Sequence, residues 1–374
     1  MPDPNAIVSR VIRVEPPPDR SPDEVPGFDG GYSIALEVGR EVRADPQDPN
    51  AAGYARILEG LSKLGRPAYL EVDPESGTIR RLLIPHVARV VAIRPAGDGY
   101  EVELEYSHAI HRLKRGRPDF PELEKALRDS HDRKSPIVLT EDDSHQIIDI
   151  RPFTKGPDDG TPALIPAGIG PYRSNPLSAL LYWIWCWPVW PWWWFWRGCV
   201  SRARAQEVFD AMSATTCNPL TVPPPCIPFL YPDDGCWGRA HEMCRLMIAM
   251  GLSPRKVWIQ GSLQTPTRNN PNCVVYWAWH VAPTLCVRWR WWFWTRRMVI
   301  DPSLFTTPVS EAAWKGVQGD PGASLTPSDA SIFYLWGNVT DPTYAQTNQV
   351  LATYRLQLQN RSIQVGPPPY ANCP

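Results

Sequence analysis

At residues 231–243 the chain reads Tyr231-Pro-Asp-Asp-Gly-Cys236-Trp-Gly-Arg-Ala-His-Glu-Met243, which predicts a cysteine at the start of an amphipathic helix. Asp233 and Asp234 are candidate N-caps, and Gly251 stands where a glycine that ends a helix is expected. The free N–H groups and the positive dipole end of a first helical turn favour a thiolate. Cys236 is therefore a candidate nucleophile, with a small core residue as the alternative.

A nucleophilic cysteine needs a general base, and only two histidines, His241 and His280, follow residue 176. His241 lies five residues beyond Cys236 on the predicted helix and so points about 140° away from it. We expect His241 to be a surface or locally bonded histidine. His280 is the candidate base, with a satisfied core histidine as the alternative.

The surroundings of His280 predict a β-hairpin. An apolar run at residues 274–282 indicates a buried strand, and a second strand at residues 297–301 ends before Pro302. The hairpin would place Asp301 beside His280, where a carboxylate can fix the tautomer of the imidazole. A turn residue that ends the strand is the alternative reading of Asp301.

Three motifs together resemble the bacterial protein-glutaminases. They are residues 225–243, the Trp279-His-Val-Ala segment at 279–282, and the Ile300-Asp-Pro-Ser-Leu-Phe segment at 300–305. Their order and spacing are similar to that family, and the resemblance covers roughly residues 205–345. It implies a transglutaminase-like, papain-related α+β fold with Cys236 as nucleophile, His280 as base and Asp301 as its orienting acid. It also implies hydrolysis of the side-chain amide of protein glutamine, without a cofactor.

Other functions use the same three side chains. A transglutaminase or a papain-like cysteine protease would also form a thioester on Cys236, and a non-catalytic membrane- or protein-binding module is a further alternative. Trp237 and Trp279 flank the nucleophile and the base. They either line a slot for the stem of the substrate glutamine or are core aromatics.

The N-terminal part contains two similar units, at residues 8–85 and 87–152. Val8-Ser-Arg-Val-Ile-Arg-Val parallels Val87-Ala-Arg-Val-Val-Ala-Ile, and each unit predicts two strands, a helix that ends near Leu64 or Arg133, and a hairpin. The five histidines of this part have no facing cysteine and no metal-ligand spacing. We expect a non-catalytic, tandemly duplicated α+β module that either inhibits the catalytic domain, as the family's pro-region does, or docks a substrate protein.

The sequence thus divides into the duplicated module at 1–152, a Pro/Gly-rich linker at 153–176, a Trp-rich segment at 177–199 and a catalytic domain at 200–374. The Trp-rich segment and a second Trp cluster at 288–297 hold most of the 18 tryptophans. Exposure of so many indole rings to water is costly, so we expect them to be buried. A membrane span, anchoring at a membrane interface, and packing within the protein are the three options.

Charge and cysteine content limit the partners. The net charge is −1, which argues against a nucleic-acid partner, and it divides into −6 for residues 1–176 and +5 for the rest. Nine cysteines predict no dense disulfide framework, no zinc motif occurs, and we expect no metal site.

Single cysteines and the N-terminus give further expectations. By resemblance to the family, Cys217 and Cys226 are a candidate pair, whereas Cys273 has no obvious partner; Cys244 is expected in the core. No standard signal segment opens the chain. We therefore expect a cytoplasmic protein or one exported by a non-standard route, with peripheral membrane association as a further option.

Overall fold

Two units of similar build precede a larger sheet in the computed structural model, which describes residues 5–18, 30–153, 198–221, 225–288 and 294–374. The first unit is a five-stranded antiparallel sheet of order β3-β2-β1-β4-β5 with one helix packed on it. Its elements are β1 Ala6–Glu15, β2 Tyr32–Leu36, β3 Glu41–Ala44, α1 Ala51–Lys63, β4 Pro67–Val72 and β5 Ile79–Leu83.

The second unit has a similar order of elements, but four strands precede its helix and its strands form two three-stranded sheets. It consists of β6 His86–Ala88, β7 Val90–Ala96, β8 Gly99–Leu104, β9 His111–Lys114, α2 Phe120–Arg133, β10 Ile137–Glu141 and β11 Ile147–Pro152. Strand β6 pairs with β10 and strand β7 pairs with β8, as β1 pairs with β4 and β2 in the first unit. The predicted helix ends near Leu64 and Arg133 are confirmed. A common origin of the two units stays a prediction.

The C-terminal region, residues 198–374, contains a five-stranded antiparallel sheet of order β15-β14-β13-β12-β16. The strands of this sheet are β12 Arg255–Pro266, β13 Val274–Arg288, β14 Thr295–Val299, β15 Val309–Ser310 and β16 Ser324–Asp329. Strands β17 Ile332–Tyr334 and β18 Val339–Thr340 form a separate pair. The helices of this region are α3 Arg202–Ser213, α4 Cys236–Ala249, α5 Glu311–Gly316 and α6 Ala345–Gln364. The chain is thus α+β, as expected.

Helix α4 begins at Cys236, and Gly251 follows its end in a left-handed conformation (φ 77°), both as predicted. The prediction that Asp233 or Asp234 caps the helix is wrong. Gly235 is the N-cap, with φ 82°, and no side chain caps the helix. Asp234 instead accepts hydrogen bonds from two backbone N–H groups and from the hydroxyl of Tyr354, so tertiary contacts take the oxygens that a cap would use.

The predicted hairpin around His280 is confirmed. Strand β13 pairs antiparallel with β14, in the register Thr284 to Val299. Strand β13 extends to Arg288, beyond the predicted end at residue 282, because residues 284–288 pair with β14.

Three disulfides join described cysteines: Cys199–Cys286, Cys217–Cys226 and Cys273–Cys373. The candidate pair Cys217 and Cys226 is therefore bonded. The expectation that Cys273 lacks a partner is wrong, because the C-terminal tail folds back by 100 residues to reach it. Cys236 and Cys244 are the free cysteines among the described residues, and both are buried.

The two units and the C-terminal region share an extensive interface. Helix α6 packs against helix α1, where Gly53 and Gly60 allow close approach of Ile363 and Leu356. Arg361 on α6 is buried between Asp143 of the second unit and Asp233. The opposite net charges of the two parts thus meet in a specific ion pair.

The linker and the first Trp-rich segment fall almost wholly outside the described residues, as does the centre of the second Trp cluster. Of that cluster, Trp294 is 71% exposed. Within the described ranges, no helix is both long enough and apolar enough to cross a bilayer. The end of the first Trp-rich segment and the start of the second cluster are linked by the Cys199–Cys286 disulfide.

Gly235→Ala tests the constraint at the start of α4. A methyl group there would overlap the ring of Tyr354, on a residue that already has a positive φ. We expect the midpoint of thermal unfolding to fall, with a loss of about 1–3 kcal/mol in the free energy of unfolding. The control is Gly116→Ala, whose added methyl meets no atom within 4 Å. Equal stability of the two variants would contradict this constraint.

Candidate active site

Three separate segments bring Cys236, His280 and Asp301 together. Cys236 is the first residue of α4, His280 lies in the middle of β13, and Asp301 follows the end of β14. The sulfur of Cys236 and a ring nitrogen of His280 lie within 4.8 Å of each other. All three side chains are at most 2% exposed.

Asp301 fixes the imidazole of His280. His280 Nε2 donates to Asp301 Oδ2 at 2.9 Å, and Trp314 Nε1 donates to the same oxygen at 2.9 Å. This bond leaves His280 Nδ1 without a hydrogen-bond partner among the described residues, and so available to the thiol. Trp277 and Trp314 stack on the ring, at centroid distances of 4.5 and 5.5 Å. The ring is therefore held in both tautomer and orientation.

Trp237 and Trp279 lie in the site, 5.8 Å apart between ring centroids. Both are buried, at 2% and 5% exposure. Together with Trp277 they surround the imidazole of His108. The distances from its ring centroid are 6.3 Å to Trp237, 5.4 Å to Trp279 and 5.1 Å to Trp277. The two tryptophans therefore form an aromatic slot that a side chain of the second unit occupies.

His108 was not among the predicted site residues. It lies in the loop at residues 105–110, which joins β8 to β9 and runs beside β13. The N–H of Ala278 donates to the carbonyl of His108, and the N–H of Ile110 donates to the carbonyl of Tyr276. The expectation that no histidine of the N-terminal part faces a cysteine is wrong, because a ring nitrogen of His108 lies within 4.8 Å of the Cys236 sulfur.

The electrostatic setting of Cys236 differs from the sequence prediction. Burial raises the pKa of the Cys236 thiol well above its usual value, although the charge of Arg239 and a backbone hydrogen bond from Val281 both oppose the shift. Burial also lowers the pKa of His280, against the opposing effect of Asp301. The docked loop excludes water, so the neutral thiol and the neutral imidazole are the favoured forms in this state.

His241 points away from the site, as predicted, but it is buried and not on the surface. Its Nδ1 lies 2.9 Å from Lys256 Nζ. Burial and then the charge of Lys256 lower the pKa of His241 to about 4. His241 is thus a locally bonded core residue and not a base for Cys236.

One known family matches part of the C-terminal region. Residues 205–318 match the model of a family described as Glutaminase, which confirms the predicted resemblance to the protein-glutaminases. The matched segment contains Cys236, His280 and Asp301. Comparison with curated protein sequences finds no relative.

Solved structures show the same fold over a longer part of the chain. A crystal structure of pro-protein-glutaminase matches with a TM-score of 0.51 and 22% identity, over 78% of this chain and 99% of the other. A mutant of pro-protein-glutaminase gives a TM-score of 0.50 and 21% identity, over 72% and 92%. A crystal structure of protein-glutaminase gives 0.37 and 28%, over 42% and 91%.

The first of these matches extends into the N-terminal part. Residues 153–374 are about three fifths of the chain, so a match over 78% includes part of the two units. The shared fold thus extends beyond the segment that matches the family model.

The reactivity of Cys236 tests its buried setting. Because burial disfavours the thiolate, we expect alkylation of Cys236 by iodoacetamide to be slow at pH 7 in the full chain and to rise only at alkaline pH. In a chain that begins at Gly198, water reaches the sulfur. The increase of the alkylation rate with pH should therefore begin at a lower pH than in the full chain. Peptide mapping by mass spectrometry separates Cys236 from the buried Cys244, and identical pH profiles for the two chains would contradict the effect.

Proposed function

We propose that this chain is a protein-glutamine deamidase that hydrolyses glutamine side-chain amides to glutamate and ammonia through a thioester on Cys236. The observation that carries the proposal is the hydrogen-bonded pair of His280 and Asp301 beside a cysteine at a helix N-terminus, inside the segment that matches the glutaminase family. The names of the structures with the same fold support the choice of substrate.

The chemistry follows from the arrangement of the three side chains. With the loop displaced, His280 Nδ1 takes the proton of Cys236, and the thiolate attacks the carboxamide carbon of glutamine. The imidazolium returns this proton to the departing nitrogen, so ammonia leaves and a thioester remains. His280 then takes a proton from water, which attacks the thioester and releases glutamate and the thiol. Asp301 stabilises the imidazolium in both steps.

The oxyanion needs donors that are already in place. The backbone N–H of Cys236 is one candidate, because it belongs to the first turn of α4 and has no partner within the helix. Trp237 and Trp279 would contact the aliphatic stem of glutamine in the slot where His108 now lies. The papain- and transglutaminase-like relationship of this region is part of the same proposal.

We further propose that residues 1–152 are a duplicated inhibitory module and that residues 200–374 are the catalytic domain, joined through the segments at 153–176 and 177–199. The module places His108 in the aromatic slot and pairs its backbone with β13, so a substrate side chain has no access to Cys236. The fold shared with pro-protein-glutaminase supports inhibition over the alternative of substrate docking.

The compartment follows from the disulfides. Three bridges among described residues are typical of proteins that act in an oxidising environment. We therefore favour action outside the reducing cytosol over the cytoplasmic option.

Substitutions of the three side chains test the reaction. In the chain that begins at Gly198, Cys236→Ala should abolish ammonia release from an unfolded, glutamine-rich protein, and Asp301→Asn should reduce kcat by a factor of about 10²–10⁴, because the imidazole loses its fixed tautomer. The matched control is Cys244→Ser, a free buried cysteine on the same helix, which should keep its activity. Cross-linked or cleaved products in place of glutamate would refute deamidation.

Activity before and after removal of the module tests inhibition. We expect the full chain to release ammonia at least tenfold more slowly than the chain that begins at Gly198, since His108 and its loop block the slot. His108→Ala in the full chain should not restore full activity, because the backbone pairing with β13 remains. Equal rates for the full and the shortened chain would rule out inhibition and leave substrate docking.

A further inference from the structure

Three buried side chains from distant parts of the chain converge at the start of α4. The sulfur of Cys236 and one ring nitrogen each of His108 and His280 all lie within 4.8 Å of one another. Each side chain is at most 1% exposed. His108 belongs to the second unit and the other two belong to the C-terminal region, so the cluster exists only while the two parts are docked.

The histidines of this cluster have unsatisfied nitrogens. Among the described residues, His280 Nδ1 and His108 Nε2 lack a hydrogen-bond partner. Buried polar atoms are rarely left without a partner, and those that are call for an explanation such as a bound ion. Here the unsatisfied nitrogens of two histidines lie beside a thiol, which points to one ligand shared by all three groups.

Each histidine also has a carboxylate on the side away from the sulfur. Asp301 Oδ2 accepts from His280 Nε2 at 2.9 Å, and Asp234 Oδ1 lies 3.1 Å from His108 Nδ1. Histidines that bind a metal commonly direct their second nitrogen at a carboxylate, which fixes the tautomer and raises the basicity of the first. By elimination, His108 Nε2 and His280 Nδ1 are the nitrogens that remain for a metal.

We propose that the docked full chain binds one zinc ion through His108 Nε2, Cys236 Sγ and His280 Nδ1. Thiolate and imidazole are the ligands that zinc prefers over the harder magnesium and calcium. Zn–S and Zn–N bonds of about 2.3 and 2.0–2.1 Å place tetrahedral ligand atoms roughly 3.3–3.6 Å apart. The three atoms lie within 4.8 Å of one another, so side-chain rotations must bring them closer together for the metal to bind.

The charges around the cluster also suit a divalent ion. A deprotonated Cys236, Asp234 and Asp301 carry three negative charges, and the buried Arg239 carries one positive charge beside them. A zinc ion brings the sum to zero, which a buried site requires. On binding, zinc replaces the thiol proton, the proton leaves to solvent, and no electron is transferred.

The consequence for the enzyme rests on the proposed function. Zinc would hold the nucleophilic sulfur in a metal bond and would stabilise the docked state, because it binds the docked state more tightly than the open one. Displacement of the module removes His108 and leaves two protein ligands, so the metal would be released as the enzyme becomes active.

Metal binding to the full chain tests the site without any measurement of activity. The chain is stripped with a chelator, and zinc is then titrated and counted by elemental mass spectrometry after dialysis. We expect one zinc per chain, and an affinity at least tenfold lower for His108→Ala. With Co²⁺ as the probe, the spectrum should show tetrahedral d–d bands and a sulfur-to-cobalt charge-transfer band, which Cys236→Ala removes.

Two matched controls and a competing cluster make the result decisive. His131→Ala and Cys244→Ser should bind zinc as the unchanged chain does, because neither residue is in the cluster. His86, His111 and Glu141 form a second cluster of ligand atoms within 4.8 Å. Zinc that persists in Cys236→Ala and is lost in His86→Ala, or no retained zinc at all, would overturn the proposal. Ammonia release by the shortened chain would still stand in either case, so the two failures are distinguishable.

Discussion

Exclusion of water from the Cys236 sulfur is the constraint on which the rest of this structure depends. The helix N-terminus, Arg239 and a backbone N–H from Val281 all favour the thiolate, yet burial outweighs them and keeps the thiol protonated. The water is excluded by the loop at residues 105–110, which belongs to the second unit. The cysteine at the start of α4 and the loop beside it thus belong to different parts of the chain, and their contact sets the environment of the thiol.

Contacts within the C-terminal region hold the imidazole of His280. His280 is stacked between two indole rings and bonded to Asp301, and Trp314 both stacks on the imidazole and donates to that carboxylate. Through these two contacts Trp314 connects α5 to the hairpin of β13 and β14. Asp301, His280 and Trp314 all belong to the C-terminal region, whereas the second unit brings His108 to the site.

Docking itself combines several kinds of contact. Helix α6 packs closely on α1 through two glycines, Arg361 is buried in ion pairs with Asp143 and Asp233, and the loop pairs with β13. A charge difference read from composition identified which parts attract. The ion pair of Arg361 with Asp143 depends on the position of α6 relative to the second unit. Amino-acid composition holds no information on that position.

Local sequence patterns determined much of the site. The helix that begins at Cys236, its end at Gly251, and the hairpin that brings Asp301 to His280 each depend on residues close in sequence, so spacing and turn residues were sufficient to predict them. The prediction of Asp233 and Asp234 as caps failed because partners more than 100 residues away compete for their oxygens. The partner of Cys273 was missed for the same reason.

What only the tertiary structure decided is the protonation state of Cys236 and the identity of its neighbour His108. A side chain's pKa depends on the water around it, and water here is removed by a segment 128 residues earlier in the chain. No spacing rule relates His108 to Cys236, because their contact is made by docking two separately folded sheets. The sequence by itself identified the candidate groups for the chemistry, and the packing of distant segments determined how deeply those groups are buried and which partners they contact.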